Sequence, residues 1–186
     1  KSGLKNVLVT NWFIEEEPLK ELLPYIDAMN IDVKGFNKEF YRKIVGGDYG
    51  PVLRTAVIAK DKGCHVEITN LIIPGLNDSV HEIRMLVDWV ADNLGRETPL
   101  HFSRYFPHHE LRLEPTPIAT LNRARDIARE KLHHVYIGNV ADWEISGTYC
   151  PHCGNMVIQR TGYSVHLSRL AGDRCAECGE HLNIVV

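Results

Sequence analysis

Two Cys-x-x-Cys-Gly pairs, Cys150-Pro-His-Cys153-Gly154 and Cys175-Ala-Glu-Cys178-Gly179, close the chain with 21 residues between them. In such a knuckle the glycine lets the backbone fold back and offer its amides to the sulfurs, and two knuckles together complete an S4 shell. Cys150, Cys153, Cys175 and Cys178 are therefore the expected metal ligands, holding zinc or, with the same sulfur set, iron. A closed thiolate shell points to a structural role, because a catalytic zinc keeps one position open. The alternative use of these cysteines, two disulfides, needs an oxidising secretory context of which the chain shows no sign. Met156 to Arg160 and Tyr163 to Leu167 read as hairpin strands around Thr161-Gly162, and His152 as exposed or outside the ligand set. A module of this size cannot fold without its ion. We expect it to span residues 146–186, after a larger unit over 1–145.

With 44% hydrophobic and 24% charged residues in 186, the chain can bury a core. A formal charge of -3 gives no general attraction to nucleic acid or to an anionic bilayer. No long apolar run or targeting segment is present, so the expected compartment is the cytoplasm, without a membrane. The first residue is Lys1, with a strand pattern following within a few residues, and we read the chain as a piece of a longer polypeptide.

Apolar runs of strand length alternate with helical patterns over the first unit. Strands are expected at Asn6 to Asn11, Asn30 to Phe36, His65 to Pro74, Pro99 to Phe106 and His134 to Val140. Between them, Pro18 opens one helix, Asn37 caps another, and a third runs from Pro51 towards Gly63. Ser79 and Glu82 form a capping box for a helix reaching Asn93, and Thr116 with Pro117 starts the last, ending near Leu132. Alternation of this kind means parallel strands joined by right-handed crossovers. Four or five units fall short of the eight of a common barrel, so the fold class is α/β, a partial (βα) barrel with parallel strands followed by a small zinc-ribbon-like module.

Ligands of parallel sheets gather at the carboxyl ends of the strands, and those ends are polar here: Thr10-Asn11, Asp32-Val33-Lys34, Thr69-Asn70, Ser103-Arg104 and Asn139. Because side chains alternate, Asp32 shares a face with Lys34, Glu67 with Thr69, and His101 with Ser103, while Val33, Ile68 and Phe102 turn to the helices. Polar side chains on three strands facing away from the helices suit a cavity with a polar ligand better than a filled core. Lys34 would take a carboxylate, Asp32 an amine or hydroxyl, and Arg104 a bidentate contact. An internal Asp32–Lys34 salt bridge and a core hydrogen bond for His101 are the plainer reading of each strand alone. The turn Pro74 to Asp78, the pairs His108-His109 and His133-His134, and Gly46-Gly47 read as structural or surface features; Cys64 reads as a small buried hydrophobe.

Taken together, Val9-Thr-Asn11, Asn30-Ile-Asp-Val-Lys-Gly-Phe36, Val66-Glu-Ile-Thr-Asn-Leu-Ile-Ile-Pro-Gly-Leu-Asn-Asp78, His101-Phe-Ser-Arg-Tyr-Phe-Pro107 and Tyr136-Ile-Gly-Asn-Val140 resemble radical S-adenosylmethionine enzymes related to pyruvate formate-lyase activating enzyme. The order of these segments is similar to that of the AmmeMemoRadiSam-system radical enzyme, whose members end in a double CxxCG module. The resemblance implies the third to sixth strands of a (βα)6 barrel. It also implies that Thr10, Asn11, Asp32, Lys34, Thr69, His101, Ser103 and Arg104 face S-adenosylmethionine or the substrate. In the parent, a 4Fe-4S cluster on a CxxxCxxC loop would cleave S-adenosylmethionine to a 5'-deoxyadenosyl radical for hydrogen abstraction from an unknown substrate, a protein among the candidates. That loop and the family's glycine-rich turn are absent from these residues, so the piece should be inactive alone, and its catalytic residues are not identified. Trp12 stands where the family's Thr-Asn turn continues with glycine.

The expected partners are S-adenosylmethionine, the missing N-terminal half of the same protein, and a second copy across the unpaired apolar edge of the first strand. Two other readings compete. One is a non-enzymatic zinc-ribbon binding module on an α/β scaffold, using Arg160, Arg169 and Arg174 on a protein or nucleic acid; the other is a complete small (βα) enzyme of another class.

Overall fold

A computed structural model describes residues 3–140, 146–161 and 164–184. The element order is β1 (Val7–Thr10), α1 (Glu16–Leu22), β2 (Ala28–Asp32), α2 (Lys38–Phe40) running into a π turn (Tyr41–Val45), α3 (Gly50–Asp61), β3 (His65–Ile72), α4 (Val80–Asn93), β4 (Leu100–Arg104), α5 (Ile118–Arg129) and β5 (Val135–Gly138). The strands form one parallel sheet in the order β1-β2-β3-β4-β5. Sequential order with right-handed crossovers puts every helix on the same side, which is the architecture of a partial barrel. All five expected strands are present, one more than the third-to-sixth set of a (βα)6 barrel contains.

One apolar layer fixes that arrangement. Ile31 and Val33, Val66 and Ile68, Leu100 and Phe102, and Ile137 from the sheet pack with Ala56 and Ala59 of α3, Val87 and Val90 of α4, and Leu121 and Ala124 of α5. Alanines on α3 and α5 let those helices approach the sheet closely. Helix α4 starts as its sequence requires: the Ser79 hydroxyl accepts the Glu82 amide at 3.2 Å and donates to the Glu82 carboxylate at 2.9 Å. The Asn37 side chain likewise caps α2, accepting from Glu39 and Phe40.

The start of α5 departs from expectation. Pro117 occupies the cap position, and Thr116 makes no cap bond. The Thr116 hydroxyl instead donates to Ile72 O at 2.6 Å and accepts from the Tyr105 amide at 3.0 Å, tying the exit of β4 to the end of β3. Here two buried backbone groups outcompete the helix end for one hydroxyl.

The second unit holds β6 (Thr148–Tyr149), β7 (Met156–Thr161) and β8 (Ser164–Leu167) in an antiparallel sheet, with β9 (Leu170–Ala171) and β10 (Arg174–Cys175) as a small ladder. Of the expected turn at Thr161-Gly162, Thr161 ends β7 and pairs with Ser164 of β8, while Gly162 and the boundary at residue 145 lie outside the described residues. No helix among the described residues is long and apolar enough to cross a membrane.

Asn77, only 3% exposed, binds together the two loops above β2 and β3. Its Oδ1 accepts from the Ile73 amide at 2.7 Å, and its Nδ2 donates to Lys34 O at 2.7 Å and Leu71 O at 2.9 Å. Asn77→Ala removes the side-chain partner of the buried Ile73 amide and of the part-buried Lys34 and Leu71 carbonyls and should lower unfolding stability by about 3 kcal/mol. Urea denaturation at neutral pH reads this; a loss below about 0.5 kcal/mol, the scale of an ordinary surface substitution, would show that water replaces the amide.

Candidate functional site: a polar sheet face and a four-cysteine centre

Cα register sets the uncovered face of the sheet row by row. Asp32 stands beside Thr69, Thr69 beside His101, and His101 beside Tyr136. One step toward the strand starts, Asn30 stands beside Glu67; one step beyond the His101 row, Ser103 stands beside Gly138. Asp32, Thr69, His101 and Ser103 thus share one face as expected, and Lys34 joins them by placing Nζ 2.6 Å from Asp32 Oδ2, each side chain about one-third exposed (33% and 31%). The salt bridge named as the plainer reading is therefore present, on the open face rather than in a core.

Thr10 and Arg104 do not share that face. They register with Ile31 and Ile72, both fully buried against the helices. The Thr10 hydroxyl accepts from the Trp12 amide at 3.3 Å. Arg104 Nε donates to Thr116 O at 2.9 Å, and its guanidinium lies 4.8 Å from the Phe106 ring centroid. Asn11 is exposed at the end of β1, with Oδ1 3.4 Å from the Phe13 amide. Trp12 has φ 45, a left-handed conformation that suits glycine, and is held there by burial to 5%.

Glu67 is the hub of the lower half of the face. Its carboxylate contacts His101 Nε2 at 2.9 Å, His65 Nε2 at 3.3 Å and Asn30 Nδ2 at 3.3 Å, while Thr69 Oγ1 donates to Asn30 Oδ1 at 2.7 Å. Hydrogen bonds from His101 and then His65 hold the Glu67 carboxyl far below the ordinary carboxylate range, against the opposing effect of its burial. The His101 ring stacks on Tyr136 with centroids 5.0 Å apart. Burial raises the Tyr136 phenol, whose oxygen lies 3.0 Å from Thr148 Oγ1 of the second unit.

Sequence reasoning missed Glu67 as a site residue and took His133-His134 for a surface pair. His134 is 6% exposed, and burial holds its imidazole below the usual range. The available signal was alternation: His134 lies two residues before Tyr136 and so faces the same way.

Below the strand starts, a cleft of about 1050 Å³ lies between this face and the second unit. Of the expected cofactor residues only His101 lines it; Asp32, Lys34, Thr69 and Ser103 lie above, toward the carboxyl ends of the strands. The rival use of the ribbon's arginines finds little support in their placement. Arg160 turns inward to Ser146 O and Thr148 Oγ1, Arg169 binds Asn155 and Glu177, and Arg174 binds Gly179 O.

The two knuckles are built alike. Gly154 N donates to Cys150 O and Gly179 N to Cys175 O, each at 2.9 Å, and both glycines are left-handed, with φ 72 and 75. All four sulfurs lie within 4.8 Å of one another, the cross pairs Cys150–Cys178 and Cys153–Cys175 at 3.6 and 3.7 Å. A tetrahedron with metal–sulfur bonds of about 2.3 Å has edges of about 3.8 Å, so the donor set fits one tetrahedral ion. The Asn155 amide lowers the Cys153 thiol to about 6. Despite the Glu180 amide, which lowers it, the Cys178 thiol is driven up to about 12 by desolvation and its sulfur neighbours. Four thiolates this close require a cation. A four-iron cluster does not fit elsewhere: the one remaining cysteine, Cys64, is buried in the sheet core with its thiol raised by desolvation.

Residues 1–90 match the Radical SAM superfamily. The first half of the chain is thus similar to that superfamily. It is 47% identical over 190 residues to an uncharacterized protein of Methanocaldococcus jannaschii, covering 100% of this chain and 56% of that protein. It is 27% identical over 113 residues to pyruvate formate-lyase 1-activating enzyme of Escherichia coli K12, covering 60% of this chain and 44% of the enzyme. The chain thus spans about half the length of the curated relatives it matches. Its fold is shared with a domain of pyruvate formate-lyase-activating enzyme from Bacteroides vulgatus, at a TM-score of 0.63 and 15% identity, over 74% of this chain and 83% of that one.

Two outcomes follow from the geometry of the metal centre and the Glu67 hub. Chelation of the metal at neutral pH should unfold the second unit, whose buried core among the described residues is Cys150, Val157, Ile158, Cys175 and Leu182 with Leu170 and Ile184 packed against it, while the sheet persists. Near-UV circular dichroism with colorimetric metal release tests this, and a ribbon that keeps its signal without metal contradicts it. Because the Glu67 pKa is depressed on folding, its contribution is fully present above the unfolded value near 4.5 and is lost as pH falls below it. Glu67→Gln should therefore flatten the stability profile below about pH 5; equal acid slopes in both proteins would remove Glu67 from that role.

Proposed function

We propose that this chain is the C-terminal part of a radical S-adenosylmethionine enzyme of the activating-enzyme type, within the AmmeMemoRadiSam group that its segments resemble. The observation that supports this best is the shared register of Asp32, Thr69, His101 and Ser103 across three adjacent parallel strands, near their carboxyl ends. In this reading residues 1–145 form part of the barrel and residues 146–186 the metal module. When bound, S-adenosylmethionine would supply hydrogen-abstracting chemistry, taking one electron from the parent's cluster and releasing methionine as its S–C5' bond breaks to a 5'-deoxyadenosyl radical.

The residues here bind and orient rather than reduce. Asp32 is an acceptor for an ammonium or hydroxyl, Lys34 a cation for a carboxylate, and Ser103 a neutral hydroxyl one row above His101. Cluster ligands belong to another part of the same protein, so these 186 residues are inactive by themselves. Leu4, Val7 and Val9, exposed at 80%, 59% and 77% along the β1 edge, give that part or a second copy an apolar surface to cover. Reduced thiols in a metal centre accord with the cytoplasm.

Amide shift mapping with S-adenosylmethionine tests the assignment. Perturbations should concentrate at residues 32–34, 69–70 and 101–103 and weaken with Asp32→Ala. Shifts confined to other surfaces would sink the site. Anaerobic incubation with iron and sulfide should yield no cubane charge-transfer band, and a stoichiometric protein-bound cubane would overturn the placement of the cluster ligands.

A further inference from the structure

The cleft below the strand starts holds two opposite charges that do not neutralise each other. Among the described residues Glu67 has no lysine or arginine partner; its contacts are His65, His101 and Asn30. Among the described residues Arg160 has no carboxylate partner either, and its guanidinium hydrogen bonds there both use Nη1, to Ser146 O at 3.2 Å and Thr148 Oγ1 at 2.8 Å. Nε and Nη2 remain for a ligand, and a half-buried guanidinium held by neutral groups is a preorganised anion site.

Between the two charges stands the His101–Tyr136 stack. Glu67 meets the His101 end at 2.9 Å, and the Arg160 guanidinium carbon lies 5.5 Å from the Tyr136 ring centroid. Asp32 and Lys34 pair directly at 2.6 Å on the same face, whereas Glu67 and Arg160 contact opposite members of the stack. A third polar group lines the same cleft. His134 is 6% exposed, and its Nε2, although 3.4 Å from Glu97 Oε2, is too poorly aligned to form a hydrogen bond. Val7, Ile26, Leu182 and Ile184 add apolar lining.

We propose that this cleft is a second ligand site, separate from the upper half of the face, and that it takes a zwitterion of the amino-acid type. The carboxylate binds Arg160, the ammonium binds Glu67, and an apolar side chain lies against Val7, Leu182 and Ile184. About 1050 Å³ exceeds what one amino acid fills, so a free amino acid and a short peptide are the two sources of this head group. The reading does not depend on the cofactor assignment above.

Calorimetric titration of the metal-loaded chain with four probes tests it: leucine and leucyl-leucine carry both charges, N-acetylleucine only the carboxylate, and leucinamide only the ammonium. At least one zwitterion should bind about tenfold or more tighter than either single-charge probe, since each lost contact is charge-assisted. Arg160→Met should reduce its affinity to that of leucinamide, and Glu67→Gln to that of N-acetylleucine. Tighter leucyl-leucine identifies a peptide, and tighter leucine a free amino acid. Should Arg160→Met disturb folding, as circular dichroism would reveal, Glu67→Gln carries the test alone. No binding by any probe, equal binding by charged and half-charged probes, or undiminished binding in a folded variant each overturns the proposal.

Discussion

A parallel sheet covered by helices on one side has two chemically different faces, and a one-residue slip in any strand would exchange them. Pairing of Asp32 with Thr69 and of Thr69 with His101 is the constraint on which the polar face rests. It is enforced from the other side. Val33, Ile68, Leu100 and Phe102 have no exposed surface, and a slip would push Asp32, Glu67 and His101 into that apolar layer at a cost of several kcal/mol per uncompensated group. The same packing that folds the sheet therefore aligns its ligand-facing side chains.

The metal centre extends this logic to the second unit. The four sulfurs hold two knuckles whose neighbours, Ile158 and Leu182, are at once core of the small module and wall of the cleft. Arg160 and Thr148 reach Tyr136 from the same module. Ion binding thus supplies the order that places a guanidinium against a barrel strand. A structural ion far from any reacting atom can in this way decide what a cleft recognises.

What was legible in the sequence was local or periodic. Ser79 and Asn37 cap the helices they precede because their partners lie two or three residues on, and strand parity separated Val33, Ile68 and Phe102 from Asp32, Glu67 and His101 by alternation alone. The knuckle spacing sufficed for the metal ligands because each pair closes over four residues. Failures came where a side chain answers to something distant. Thr116 has cap chemistry but satisfies a carbonyl 44 residues away, and Arg104 is drawn to the carbonyl of Thr116 itself. Arg160 looked like a surface cation because nothing near it in sequence shows that Tyr136 and Thr148 receive it.

The open face divides into two halves that treat charge differently. Above, Asp32 and Lys34 cancel each other, so a ligand there must either displace that pair or bind as a neutral donor beside Thr69 and Ser103. Below, Glu67 is held by His65, His101 and Asn30 and Arg160 by neutral oxygens, and among the described residues no lysine or arginine pairs with Glu67. Asn30 joins the halves: its Nδ2 contacts Glu67 while its Oδ1 accepts from Thr69. An amide fixed at both ends cannot turn without losing both bonds. Asn30 therefore ties the two halves together through one side chain.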